Sequence, residues 1–217
     1  NFLDKVEDTV PSLAPRPTVT AEDAPTVRDA LAGLGNSIQS SNLQIASLAG
    51  NWGVLRQNNS NSISNHVVRS HQETSVKRFR VYQWLASLGL ESKFLSTYSA
   101  GDVAIQEELI AKLANRAHFP AYAPDGSLIA ASADDLKVLL DAVKTKKHSQ
   151  RVLALDEPAR TVVTIGDDYV HPLEPRTFTV RELARFQGFP DSFEFRAKET
   201  TGGLNRRDEV PQYSQVG

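Results

Sequence analysis

The imidazoles of His66 and His71, with the guanidinium of Arg69 between them, are the first groups in this chain that chemistry could use. Two histidines five residues apart do not share a helical face, and no cysteine or carboxylate cluster completes a metal shell around them. The segment therefore reads as a polar stretch ahead of a helix, and no metal site is expected. Asp167 and Asp168 form a second group, but adjacent carboxylates on a polar loop point to solvation rather than acid–base work. The third is Lys144-Thr-Lys-Lys-His-Ser-Gln-Arg151, the densest run of positive charge. Its Lys144, Lys146, Lys147 and Arg151 suit either the negative end of a helix or phosphate groups. The 217 residues include no cysteine, which removes disulfides, thiolate metal sites and cysteine nucleophiles. With a formal charge of −2, any polyanion would have to be met by local clusters rather than by overall basicity.

The elements that would position these groups are mostly helical. Residues 1–25 carry Pro11, Pro15, Pro17 and Pro25 and read as an extended connector. A short helix follows from Thr26, ended by Gly33 or Gly35; residues 36–65, rich in Asn, Ser and Gln, read as a long surface excursion. From Glu73 to Leu88, Val76, Phe79, Val81, Trp84, Leu85 and Leu88 recur at helical spacing, with Lys77, Arg78 and Arg80 on a solvated side. Asp102 to Ala117 is a second amphipathic helix, and Ser132 or Ala133 to Lys147 a third, with a short strand over Ser127–Ala131 between them. Arg151–Leu155 and Thr161–Ile165 read as two strands joined by a turn at Asp156-Glu-Pro-Ala, and Asp167–Pro172 as a loop.

The most fully specified stretch is Arg176–Pro190. Thr179 and Glu182 make a Thr-x-x-Glu capping box, Val180, Leu183 and Ala184 form one apolar stripe, and Arg181, Glu182 and Arg185 point elsewhere. Gly188 sits where a left-handed residue ends a helix, with Phe189 folding back on Ala184 and Pro190 blocking continuation. The pattern Arg176-x-x-Thr179-x-Arg181-Glu182-x-Ala184-Arg185-x-Gln187-Gly188-Phe189-Pro190-Asp191 resembles motif IX of the DNA (cytosine-5) methyltransferases. Gln212-Tyr-Ser-Gln-Val-Gly217 resembles the opening of their motif X, and Asp156-x-Pro158-x-x-Thr161-Val162-x-Thr164 the segment closing their target-recognition region. The resemblance covers roughly the last third of the chain, with weaker matches at Thr26–Leu31 and Asn65–His71.

That resemblance implies an α/β fold: a mixed target-recognition lobe plus a C-terminal fragment of a Rossmann-like methyltransferase domain. The implied divisions are 1–35 as connector and short helix, 36–165 as target-recognition region with a helical insertion, and 166–217 as motif IX and the start of motif X. It implies double-stranded DNA and a missing N-terminal catalytic half as partners, with S-adenosylmethionine bound by the full-length enzyme and not by this fragment. Candidate DNA contacts are Thr161, Lys144, Lys146, Lys147, Arg151 and Arg69; structural motif IX residues are Arg176, Thr179, Arg181, Glu182 and Gln187; Gln215 and Gly217 lie toward the cofactor. No catalytic residue is expected here, because the reaction needs a thiolate that this chain lacks. With no apolar run long enough to cross a bilayer and no signal peptide, the expected location is the bacterial cytoplasm, at the nucleoid. The absence of methionine adds to the reading of a fragment. The alternative is a non-catalytic DNA-binding or interaction module on a methyltransferase scaffold, and a further one is an unrelated insertion over 92–148.

Overall fold

In the computed structural model the structure describes residues 20, 23–34, 63–164, 166–200 and 210–217. The proline-rich start, most of the Asn/Ser/Gln stretch, Gly35, Ile165 and the Gly202-Gly203 and Arg206-Arg207 pairs lie outside the described residues. The architecture is mixed α/β, mostly helical with two small sheets. Helix α1 (Val27–Leu31) starts at a capping box in which the Thr26 and Asp29 side chains each take the other's backbone amide. Its other orphan amides are met from outside: Val27 and Arg28 donate to the carbonyls of Glu157 and Leu155 at 2.9 and 2.8 Å.

Helix α2 (Glu73–Ser87) buries Phe79, Val81, Tyr82, Trp84 and Leu85, largely the apolar face its periodicity predicts. Against it pack α3 (Lys93–Ala100), α4 (Val103–Ala114), the antiparallel hairpin β1 (Ala121–Tyr122) and β2 (Leu128–Ala130), and α5 (Ala133–Ala142). Leu95, Tyr98, Leu113, Leu136 and Leu140 are fully enclosed there, and each such leucine contributes about 1.5–3 kcal/mol of burial. Helix α3 and strand β1 go unseen in the sequence because so few residues carry their pattern. Only Leu95 and Tyr98 are buried in α3, and β1 is two residues long.

The third predicted helix does not run to Lys147. It stops at Ala142, because the Arg78 guanidinium reaches across from α2 and donates to the carbonyls of Val143 and Lys144 at 3.1 and 3.3 Å. The cationic run from Lys144 therefore follows the helix as non-helical chain. The second predicted helix likewise closes at Ala114 rather than Ala117. Arg151–Val152 is a strand, β3, but its partner is not Thr161–Ile165. It pairs in parallel with β4 (Tyr169–Val170), inside the stretch read as a loop, with Arg151 opposite Tyr169 and Val152 opposite Val170. The described part of 161–165 is drawn away from that ladder: the Tyr169 hydroxyl donates to the Thr161 carbonyl at 2.7 Å, and the Val163–Thr164 backbone lies against Gly217.

Helix α6 (Val180–Phe186) and helix α7 (Gln212–Val216) belong to a second core. It contains Val27 and Leu31 of α1, Leu153, Val162, Phe178, Val180, Leu183, Phe195, Tyr213 and Val216. The short parallel ladder is the seam between the cores. Val152 and Val170 face the first, while Leu153 and Tyr169 face the second, as successive strand residues must. The β3–β4 ladder joins residues on either side of 165/166, and helices α3 to α5 share their core with α2. Excising 92–148 is expected to abolish the cooperative urea transition by stripping the buried face of α2. A sharp transition retained by the shortened chain would show the segment to be a true insertion.

Candidate functional site

Helix α6 is only seven residues long, yet Arg181, Glu182 and Arg185 are all buried along with its apolar stripe. The expectation that these charges point away from the packed face is thus corrected: the helix is enclosed all round. The capping box is present, with the Thr179 hydroxyl accepting from the Glu182 amide and Glu182 accepting from the Thr179 amide at 2.7 Å. The C-terminal end is a Schellman motif: Gly188 is left-handed at φ 79°, Phe189 donates to the Ala184 carbonyl at 3.0 Å and Gly188 to that of Arg185 at 3.0 Å.

Each charge has its own partners. Arg176 meets Glu182 with both guanidinium nitrogens, at 2.8 and 2.7 Å, and reaches Glu174 with the third at 2.8 Å. Burial pushes the Glu182 carboxyl up, but the Arg176 hydrogen bonds outweigh it and hold the carboxyl below its ordinary value; the same pairing raises the Arg176 guanidinium. Arg185 makes a second bidentate pair with Asp191 at 2.8 and 2.6 Å, and donates to the carbonyls of Ala30 and Ala32 at the C-terminal end of α1. Arg181, fully enclosed, has no carboxylate in contact among the described residues. Its donors go to Ser64 Oγ, Asn65 Oδ1 and the carbonyls of Ser64, Pro190 and Phe193, and its guanidinium lies 5.9 Å from the Phe195 ring centre. Burial lowers its affinity for the proton, and neighbouring Asp191 partly restores it.

Asn65 is a residue the sequence reading passed over. It adopts φ 62°, a left-handed conformation that Asn tolerates, accepts from the Phe195 amide and donates to the Phe195 carbonyl and to Gln212. It thereby ties the 63–71 segment to α6, the 193–195 loop and α7. His66 Nδ1 lies 2.9 Å from the Thr179 hydroxyl, and His71 Nε2 accepts weakly from the Thr177 amide at 3.4 Å. Arg185 and Asp191 were visible within the motif but not singled out. The signal was an arginine and an acid six residues apart across the Gly188 turn.

The candidate DNA contacts divide by what holds them. Arg69 is in an ion pair with Asp167 at 2.6 Å beneath the Tyr213 ring, and Lys147 stands 3.8 Å from the same carboxylate. Asp167 and Asp168 are therefore engaged rather than merely solvated, since Asp168 also accepts from Ser149 at 2.9 Å. Lys144 pairs with Asp141 at 2.9 Å. Lys146 and Arg151 are exposed with no ion pair among the described residues, and Thr161 is exposed beside buried Val162. Gln187 is exposed at the end of α6, its amide 3.4 Å from the Val216 carbonyl.

The Gln215 amide donates to the carbonyls of Arg196 and Val210, and the Gly217 α-carbon abuts the Val163–Thr164 backbone so closely that a Cβ would lie 2.4 Å from the Val163 carbonyl carbon. Among the described residues no group of three or more His, Asp or Glu is placed to hold a metal ion, and no helix is long and apolar enough to cross a membrane.

The sequence profile of a family described as C-5 cytosine-specific DNA methylase matches residues 22–217. The chain belongs to this family. Among curated relatives it is similar to the type II methyltransferase M.AquIB of Picosynechococcus sp., 37% identical over 81 residues, which are 36% of this chain and 58% of that protein. It is 43% identical over 72 residues to the type II methyltransferase M.NgoFVII of Neisseria gonorrhoeae, 32% of this chain and 19% of the relative. It is also 39% identical over 62 residues to the type II methyltransferase M.DdeI of Desulfomicrobium norvegicum, 28% of this chain and 14% of the relative. The matched parts thus span less than two thirds of each relative. M.AquIB itself is short, 81 residues being 58% of it and the whole therefore about 140 residues. No solved structure matches the chain.

The turn leading into α6 makes stability depend on pH. Burial, then repulsion from Arg176, lowers the His171 imidazole from 6.5 to about 4. Its Nδ1 accepts from the Leu173 and Glu174 amides at 3.2 and 3.0 Å, bonds that a proton there would remove. A folded-state value below the unfolded one means stability is fully present above pH 6.5 and is lost as pH falls towards 4. The loss is about 3 kcal/mol, followed at lower pH by the Glu182 contribution. Urea unfolding at stepped pH should show this decline, and His171→Gln, which keeps an acceptor, should flatten it between pH 6.5 and 4. A wild-type profile already flat over that range would refute the assignment.

Proposed function

We propose that this chain is the C-terminal, DNA-recognising part of a DNA (cytosine-5) methyltransferase of the type II, restriction–modification kind. The complete enzyme transfers a methyl group from S-adenosylmethionine to C5 of cytosine in duplex DNA. The observation that carries this reading is a family match over 22–217 in a chain with no cysteine. Attack on C6 of the base needs a thiolate, so the nucleophile must come from elsewhere.

In this reading the first core, α2 to α5 with the β1–β2 hairpin, is the target-recognition lobe. Helices α6 and α7 belong to the edge of the Rossmann-like catalytic domain, with Arg176, Thr179, Arg181, Glu182 and Gln187 organising the lobe's base. Lys146, Arg151 and Thr161, exposed and without ion pairs, are the first DNA contacts. Arg69, Lys144 and Lys147 join them by exchanging a carboxylate for a phosphate, which keeps each cation partnered. The shortness of M.AquIB supports the idea that a comparable piece stands as its own chain.

The test is methyl transfer and duplex binding by this chain, alone and with the N-terminal half added in trans. No methylation is expected from the chain alone, and activity is expected in the mixture. Binding should weaken roughly 500-fold between about 50 and 200 mM salt for about five phosphate contacts. Methylation by the chain alone would place a catalytic centre within it. Salt-sensitive binding in neither format would end the recognition reading.

A further inference from the structure

A cleft of about 240 Å³ opens where the end of α2 and the start of α3 face strand β3, lined among others by Lys93, His148, Gln150, Arg151 and Arg160. The basic side chains come from three separate stretches of sequence, and no pattern in the sequence foretells their convergence. None of Lys93, Arg151 and Arg160 has an ion-pair partner among the described residues, although Glu91 also lines the cleft. This sets them apart from Arg69, Lys144 and Lys147, which are held by Asp167 and Asp141. Three cations beside one carboxylate leave an uncompensated positive field, and a concave wall focuses it. The wall also holds Gln150, which is 3% exposed. Its side-chain nitrogen donates to the Asp167 carbonyl at 2.9 Å, which pins this wall of the cleft to the chain just before β4.

We infer that this cleft seats one nucleotide of the DNA duplex, with Lys93, Arg151 and Arg160 on its phosphate. Of these three residues only Arg151 belongs to the contacts named above, and the inference rests on the DNA-recognition reading. The volume exceeds what a lone phosphate fills, which favours a nucleotide over a bare anion.

The experiment measures duplex affinity against salt for the chain, supplied with the N-terminal half if binding requires it. The variants are Lys93→Ala, Arg160→Ala and, as a control, Lys112→Ala on exposed α4. The two cleft variants should each reduce the slope of log K against log salt by about 0.9 and weaken binding several-fold, with Lys112→Ala unchanged. Matching circular dichroism and urea midpoints verify that the variants fold. Cleft variants that bind like Lys112→Ala, while the wild type binds well, overturn this inference and leave DNA recognition standing. No duplex binding by the wild type in either format overturns both. A free nucleoside monophosphate that shifts the amide resonances of Lys93 and Arg151, with duplex leaving them unmoved, makes the cleft a small-molecule seat and likewise overturns it.

Discussion

The pairing of Arg176 with Glu182 is the interaction on which the rest of the motif depends. A carboxylate and a guanidinium are both taken out of water, and that is tolerable only when every oxygen and nitrogen finds a partner. Glu182 does this with two arginine contacts and the helix's first amide, so one side chain caps α6 and neutralises a buried cation together. The other two arginines extend the same logic outward. Arg185 ties α6 to the C-terminal end of α1 and to Asp191, and Arg181 holds Ser64, Asn65 and the Pro190–Phe193 loop through carbonyl and side-chain oxygens. A rigid planar donor set suits this work, since one guanidinium can fix several backbone segments at defined angles.

The second organising feature is the β3–β4 ladder. Two residues on each strand are enough because their side chains alternate between the cores. The lobe built around α2 is thereby registered against the base built around α6. Gln83 strengthens the link by donating from the middle of α2 to the carbonyls of His171 and Glu174 in the turn just before α6. His171 sits in that turn as a neutral acceptor, which is why acid should loosen the joint between the two bodies before it reaches the Glu182 pair.

A surface that recognises DNA must keep cations ready without letting them collapse onto neighbouring carboxylates. The chain shows both conditions side by side. Asp167 holds Arg69 and Lys147, whereas Lys93, Lys146, Arg151 and Arg160 stay exposed and unpaired among the described residues. Net charge gives no hint of this division, because at −2 the chain as a whole is slightly acidic. What matters for a polyanion is where the unpaired positive groups converge.

The sequence by itself determined the local frame of α6: its capping box, its glycine stop and the family to which that pattern belongs. These are short-range matters, settled by residues within a turn or two of each other. It also determined the buried face of α2, whose apolar period runs long enough to be unambiguous. Tertiary structure alone decided the end of α5, because the group that closes it, Arg78, lies some sixty-five residues upstream. It alone decided the partner of β3, since a two-residue strand carries no periodicity and its pairing follows from which core each side chain enters. The burial of Glu182 and Arg185 was hidden for the same reason. A charged side chain reads as exposed until the distant carbonyls and carboxylates that satisfy it are in place.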